Sequence, residues 1–179
     1  TFSPTTPLVI VKMMIVLGLL HDLAVASLDV GDAFLQVPQS TMVLIFLIEI
    51  PTWAVGAEGN GDQGQFWILK RCLPGQRAAA SEWNNFFVEV CERFGYETFQ
   101  GTIFKHRTDR AYISVHIDDL LVIGSKEHIR DFHERLSKEL KLKIEGPLQY
   151  GDEGSLFYLK REIQCAEDGI YIAPSSRYI

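Results

Sequence analysis

Three aspartates are placed where carboxylates can do chemistry. Asp29 ends a short apolar stretch in SLDVGDAF, and Asp118 and Asp119 lie between two apolar stretches in YISVHIDDLLVIG. Apolar runs of this length read as strands, and a tight link between two of them reads as a β-hairpin. The hairpin then carries Asp118 and Asp119 at its tip. Carboxylates gathered at one spot repel each other unless cations join them, which marks such clusters as metal sites. Magnesium suits them, because it takes hard oxygen ligands in octahedral geometry, keeps some waters and shares substrate phosphates. Two such ions a few Å apart stabilise the attacking and leaving oxygens of a phosphoryl transfer. On these residues alone a second reading stays open, since Asp is also a common turn residue that bonds nearby backbone N–H groups.

The elements that must position these residues follow from periodicity. Leu8–His21 reads as a buried helix after the extended lead-in Thr1–Pro7. Ala24–Val30, Met42–Ile50, Phe66–Cys72, Thr102–Lys105, Ala111–Ile117, Leu120–Ile123, Leu156–Gln164 and Gly169–Ala173 read as strands. Residues 54–65 hold four glycines in AVGAEGNGDQGQ and read as a mobile loop. In Ala78–Phe94, Trp83, Phe86, Phe87, Val90, Cys91 and Phe94 fall on one helical face, and Gly95 closes the helix. Ser125 caps a second amphipathic helix, Lys126–Leu142, with Ile129, Phe132, Leu136 and Leu140 on its apolar face. Strands and helices mix without regular alternation, which implies an α+β fold.

Composition narrows the classes. The chain has 179 residues, 47% hydrophobic and 22% charged, which excludes disorder and collagen-like structure. A net charge of −6 excludes a broadly cationic DNA-coating protein, although not a nucleic-acid enzyme that holds metal ions on its own carboxylates. Cys72, Cys91 and Cys165 are too scattered for a disulfide framework or a zinc finger and fit a reduced, intracellular protein. Leu8–Leu20 is too short to span a bilayer and is interrupted by Lys12. His21, His106, His128 and His133 show no zinc spacing with the cysteines; His128 and His133 read as solvated, and Lys105–Arg107 as a solvated basic turn. Ser81 and Ser114 have no evident triad partners.

Several segments, in order, resemble the reverse transcriptase domain of copia-type retrotransposons and, more distantly, retroviral reverse transcriptases. They are TFSP, SLDVGDAFLQVP, LKRCLPGQRAAASEW, ISVHIDDLLVIG, and LFYLKREI followed by GIYIAPSSRYI. The resemblance implies a polymerase palm, an antiparallel sheet backed by helices, with partial fingers and the start of the thumb or connection. It implies one domain over residues 1–179, truncated at the fingers, with 165–179 opening the next segment. Asp29, Asp118 and Asp119 would be catalytic and, with the Val30 carbonyl, would ligate two Mg²⁺ ions, Mn²⁺ being an alternative. Asp32 and Ala33 match positions whose N–H groups face the dNTP triphosphate, Phe34 matches the steric gate against ribonucleotides, and Arg77 is the retained basic residue near the dNTP. Leu159 and Lys160 match the primer grip. Implied partners are an RNA or DNA template with its primer, dNTPs, and the remaining Pol polyprotein with its fingers, RNase H and integrase. No membrane is implied, and the setting is intracellular, a cytoplasmic particle or the nucleus.

The sequence also departs from the family pattern. His116 replaces the usual Tyr of the hairpin motif, Ala78, Ala80 and Ser81 replace Gln, Pro and Arg of the second motif, and Lys160 replaces a Gly. Basic finger residues that hold the triphosphate precede TFSP in the family, so the expectation for these 179 residues alone is weak or no polymerase activity. Two rival expectations are a decayed, catalytically silent retroelement remnant and a generic α+β ligand-binding module whose acidic turns are unrelated.

Overall fold

The computed structural model describes residues 6–38, 47–49 and 66–175. In chain order the elements are α1 (Leu8–Leu20), β1 (Ala24–Val30), α2 (Ala33–Gln36), β2 (Leu47–Glu49), β3 (Phe66–Ile68), α3 (Ala79–Arg93), β4 (Tyr96–Gln100) and β5 (Ile103–His106). They continue as β6 (Tyr112–His116), β7 (Asp119–Gly124), α4 (Lys126–Leu136), β8 (Leu142–Leu148), β9 (Gly154–Tyr158), β10 (Arg161–Ala166) and β11 (Gly169–Pro174). The main sheet has the order β4-β5-β6-β7-β1-β8, and every neighbouring pair in it is antiparallel. A three-stranded sheet, β11-β10-β9, lies beside it, and β2 pairs with β3.

The main sheet is covered on both faces, which explains why β1 is nearly all apolar. One face carries Ala24, Ala26, Leu28 and Val30 with Leu120, Val122, Ile113 and Val115, packed in a core with Trp83, Phe87 and Val90 of α3 and Ile129, Phe132 and Leu136 of α4. On the other, Val25, Leu121 and Ile123 pack with Val11, Ile15 and Leu19 of α1 and with Leu156, Tyr158 and Ile163 of the small sheet. Gly18 allows the α1 approach, since a Cβ there would lie 2.6 Å from Ile123 Cγ2. Asp29 is the exposed residue of β1 and sits one position before the strand's end.

The α+β fold expected from the sequence is the one observed, with corrections to its elements. The α1 helix is buried on one side only: Val11, Ile15, Gly18 and Leu19 rest on the sheet, whereas Val9, Met13, Val16, Leu17 and Leu20 are exposed. Its all-round apolar composition conceals which face packs. The helix expected over Lys126–Leu142 ends at Leu136 and winds through tight turns to Leu140, and an unanticipated strand, β8, follows. The expected strand Leu156–Gln164 is two strands joined at Leu159 and Lys160, both at positive φ (49° and 60°). The expected strand Phe66–Cys72 stops at Ile68, and β4 is an addition. The loop expected over 54–65, the TFSP segment and most of the strand expected at Met42–Ile50 lie outside the described residues.

Candidate active site

Strand register builds the site. Asp29 of β1 is the Cα partner of Asp119 of β7, and Asp119 is in turn the partner of His116 of β6. On the other side Asp29 is paired with Lys143 of β8. Directly opposed residues of antiparallel strands point to the same face, with Cβ atoms about 4.5–5.5 Å apart. A row His116–Asp119–Asp29–Lys143 therefore crosses four strands on one face. Asp118 precedes it in the two-residue turn, exposed. The early aspartate and the later pair thus meet, as the sequence reading required.

The turn itself is held from below. Ile117 sits at φ 58°, a conformation unfavourable for a β-branched residue. The Trp83 indole Nε1–H donates to the Ile117 carbonyl at 2.6 Å, and the Val30 N–H donates to the Asp118 carbonyl at 2.9 Å. One bond ties the turn to α3 and the other to the end of β1. Gln36 of α2 bonds the Gly31 carbonyl and, through its Oε1, accepts from Lys141 N–H at 2.6 Å, so the segment after Asp29 is clamped to the start of β8.

The electrostatics of the row are those of crowded acids. Burial first, then Asp118, then Asp29 push the Asp119 carboxyl up to about 6, against a partial lowering by His116. A cleft of about 660 Å³ opens over these residues. Its lining includes Ser27, Asp29, His116, Asp119, Lys143 and Glu145 from the main sheet and Asp118 from the β6–β7 turn. Phe157, Leu159 and Lys160 close it from the β9–β10 hairpin. Glu145 accepts the Phe157 N–H at 2.7 Å and so fixes that hairpin to β8.

Of the residues singled out from the sequence, Asp29, Asp118, Asp119, Leu159 and Lys160 come together in this cleft. Asp32, Ala33 and Phe34 follow Asp29 at the start of α2: Asp32 is exposed at φ 50°, Ala33 is buried, and Phe34 is half-buried against the α3–α4 core. Arg77 is exposed in the turn before α3 and does not line the cleft. Sequence reasoning missed Lys143 and Glu145, because a helix was expected up to Leu142; the alternation in LKIE was the signal for a strand. It also missed that Trp83, placed with the core, reaches the acidic turn.

The three carboxylates offer hard oxygen donors in one place, and Asp118 and Asp29 add to burial in raising the Asp119 carboxyl. Both observations fit divalent cations of the magnesium kind. An antiparallel sheet with helices on both faces and acids at a strand end and the adjoining hairpin turn defines an α+β fold of the polymerase-palm kind. The chain belongs to the reverse transcriptase (RNA-dependent DNA polymerase) family, whose model matches residues 1–172. That family is one of nucleotidyltransferases. No curated protein matches the chain. Among solved structures, apo telomerase from Candida tropicalis truncated from its C-terminal domain is similar in fold, with a TM-score of 0.50 at 11% identity. The match covers 94% of this chain and 40% of the telomerase chain, so the present chain spans less than half the length of that solved chain. Among the described residues no helix is long and apolar enough to cross a membrane.

Proposed function

We propose that this chain is the palm of a copia-type retrotransposon reverse transcriptase, which adds dNTPs to a primer 3′-hydroxyl on an RNA or DNA template. The observation that carries the reading is the pairing of Asp29 with Asp119 beside Asp118, at the floor of a cleft walled by the Leu159–Lys160 hairpin. Asp29, Asp118, Asp119 and the Val30 carbonyl would hold two Mg²⁺ ions, with Mn²⁺ a substitute. When bound, the ions supply charge stabilisation at the attacking and leaving oxygens.

The chain's own residues do the positioning on which phosphoryl transfer depends. The β9–β10 turn faces the acids across the cleft and sets the primer end against them. Lys160 and Arg161 offer cations to the primer backbone, contacts that fix register without reading sequence. Backbone N–H groups at Asp32 and Ala33 turn toward the triphosphate, and Arg77 adds positive charge on that side. Phe34, anchored against the core behind α2, fills the space a ribose 2′-hydroxyl would need. The primer hydroxyl displaces pyrophosphate from the α-phosphate. The rest of a Pol polyprotein, including basic fingers, RNase H and integrase, completes the working enzyme in an intracellular particle or the nucleus.

The experiment is single-nucleotide incorporation on a primed RNA template by the in-frame extended polypeptide, with Mg²⁺ and Mn²⁺ compared. Asp118→Asn lowers incorporation by roughly 10²–10⁴-fold, the loss of several kcal/mol of charge stabilisation. Phe34→Val admits ribonucleotides. Incorporation that survives Asp118→Asn unchanged would sink the reading.

A further inference from the structure

A second constellation occupies the opposite end of β6. The end of β5, the loop after it and the first turn of α4 gather His106, Asp109 and His128, with one donor atom of each within 4.8 Å of the others. The sequence reading left both histidines to solvent, but the structure sets them into the wall: their side chains are only 13% and 16% exposed, against 54% for Asp109. Both imidazoles turn Nδ1 toward one carboxylate oxygen. His128 Nδ1 lies 3.0 Å from Asp109 Oδ2, and His106 Nδ1 lies 3.4 Å from it.

Ligands about 2.0–2.1 Å from a tetrahedral ion lie roughly 3.3 Å apart. The two nitrogen–oxygen spacings, 3.0 and 3.4 Å, are already close to that, and the two imidazole donors lie within 4.8 Å of each other, so closing on an ion asks for a small inward turn of the rings. Two imidazoles and a carboxylate suit zinc and its first-row neighbours better than magnesium. An outer partner is also in place. The hydroxyl of buried Tyr96 lies 2.7 Å from His128 Nε2, where its oxygen can accept a hydrogen bond from the Nε2–H once Nδ1 binds an ion. The rings of Tyr96, His106 and His128 pack edge to face at 4.8–5.8 Å, which fixes their aim. Asp109 N–H now donates to His106 Nδ1 at 3.0 Å, a bond that an ion would replace. Asp109 and His128 border an open pocket shared with Glu127 and Asp131, which gives an ion a path in and water a place to bind.

We propose that His106, Asp109 and His128 form a three-ligand site for a divalent transition ion of the zinc class, with water as the fourth ligand and Tyr96 as the outer partner of His128. The site shares no residue with the acidic row and stands whether or not the polymerase reading holds.

The test is calorimetric Zn²⁺ titration and Co²⁺ absorption on a chain carrying both Asp118→Asn and Asp119→Asn, which removes the acidic turn as a competitor. One equivalent of Zn²⁺ binds, Co²⁺ gives the intense bands of tetrahedral coordination, and excess Mg²⁺ does not compete. Asp109→Ala, at an exposed position that the fold tolerates, weakens Zn²⁺ at least ~100-fold, and Tyr96→Phe weakens it ~10–100-fold, as loss of an outer partner does. Equal Zn²⁺ affinity in Asp109→Ala, an octahedral Co²⁺ spectrum, or no saturable binding overturns the proposal.

Discussion

At one end of β6 the chain turns through Ile117 and Asp118 beside Asp29 and Asp119; at the other it arrives from the loop that sets Asp109 against His106 and His128. Desolvation acts on both ends and favours the neutral form of each. Burial pushes Asp119 up to about 6, whereas burial first and the His106 ring second push His128 down. The histidine end answers this internally, since His128 finds Tyr96 on one ring nitrogen and Asp109 on the other. At the acidic end Asp118 and Asp29 add to burial in raising Asp119, and His116 offsets them only in part. The same sheet thus carries one cluster of mixed nitrogen and oxygen donors bridged by hydrogen bonds and one in which carboxylates crowd. The donor sets differ accordingly: the histidine end suits an ion of the zinc class, the acidic end a hard ion of the magnesium class.

That contrast can be broken selectively. Trp83→Phe removes the indole bond to the Ile117 carbonyl and leaves a gap in the α3 core, at about 2–3 kcal/mol of stability in urea unfolding. The Asp119 carboxyl resonance should shift while the His128 ring signals stay in place. Stability within ~0.5 kcal/mol of the parent would show that the acidic turn holds itself without α3.

A smaller effect follows from titration. The folded value for Asp119, about 6, lies above its unsupported value of 3.8, so protonation favours the folded chain. The stabilisation is complete below about pH 4 and is lost as pH rises through about 6. After solvent screening of this half-exposed group it amounts to about 1 kcal/mol in metal-free buffer. Asp119→Asn should flatten that limb of the stability curve; an unaltered slope between pH 4 and 7 would assign the shift to another group. The smallest change is at the hairpin facing the acids. Lys160→Gly, at φ 60°, should stabilise by roughly 0.5–1 kcal/mol because glycine accepts the left-handed region freely. Thermal unfolding reads this directly, and a destabilised variant would mean that the Lys160 side chain anchors the turn.

Much of this was legible in the sequence. The apolar runs flanking Asp118 and Asp119 read as strands joined by a short turn, and β6 and β7 form that hairpin; the opposition of Asp119 and His116 is set by its register. The face of α3 was readable because Trp83, Phe87 and Val90 repeat at helical spacing. The α1 helix was not, since every side of it is apolar and only tertiary contact chooses among them. Lys143 escaped because a helix-like run of leucines and charges continues past Leu136, and the chain leaves it through tight turns rather than at a glycine or proline. The histidine cluster was invisible for a different reason: 22 positions separate His106 from His128. Only the pairing of β5 with β6 and the docking of α4 bring them together.

The central claim is that Asp29, Asp118 and Asp119 form one cation site. The most direct measurement is carbon-detected NMR titration of the Asp119 carboxyl in the 179-residue chain, with and without millimolar Mg²⁺. Without the ion the carboxyl should titrate near 6; with it the titration should fall below the ordinary carboxylate range, and Asp29→Asn should abolish the difference. A titration that Mg²⁺ leaves unmoved would contradict the account.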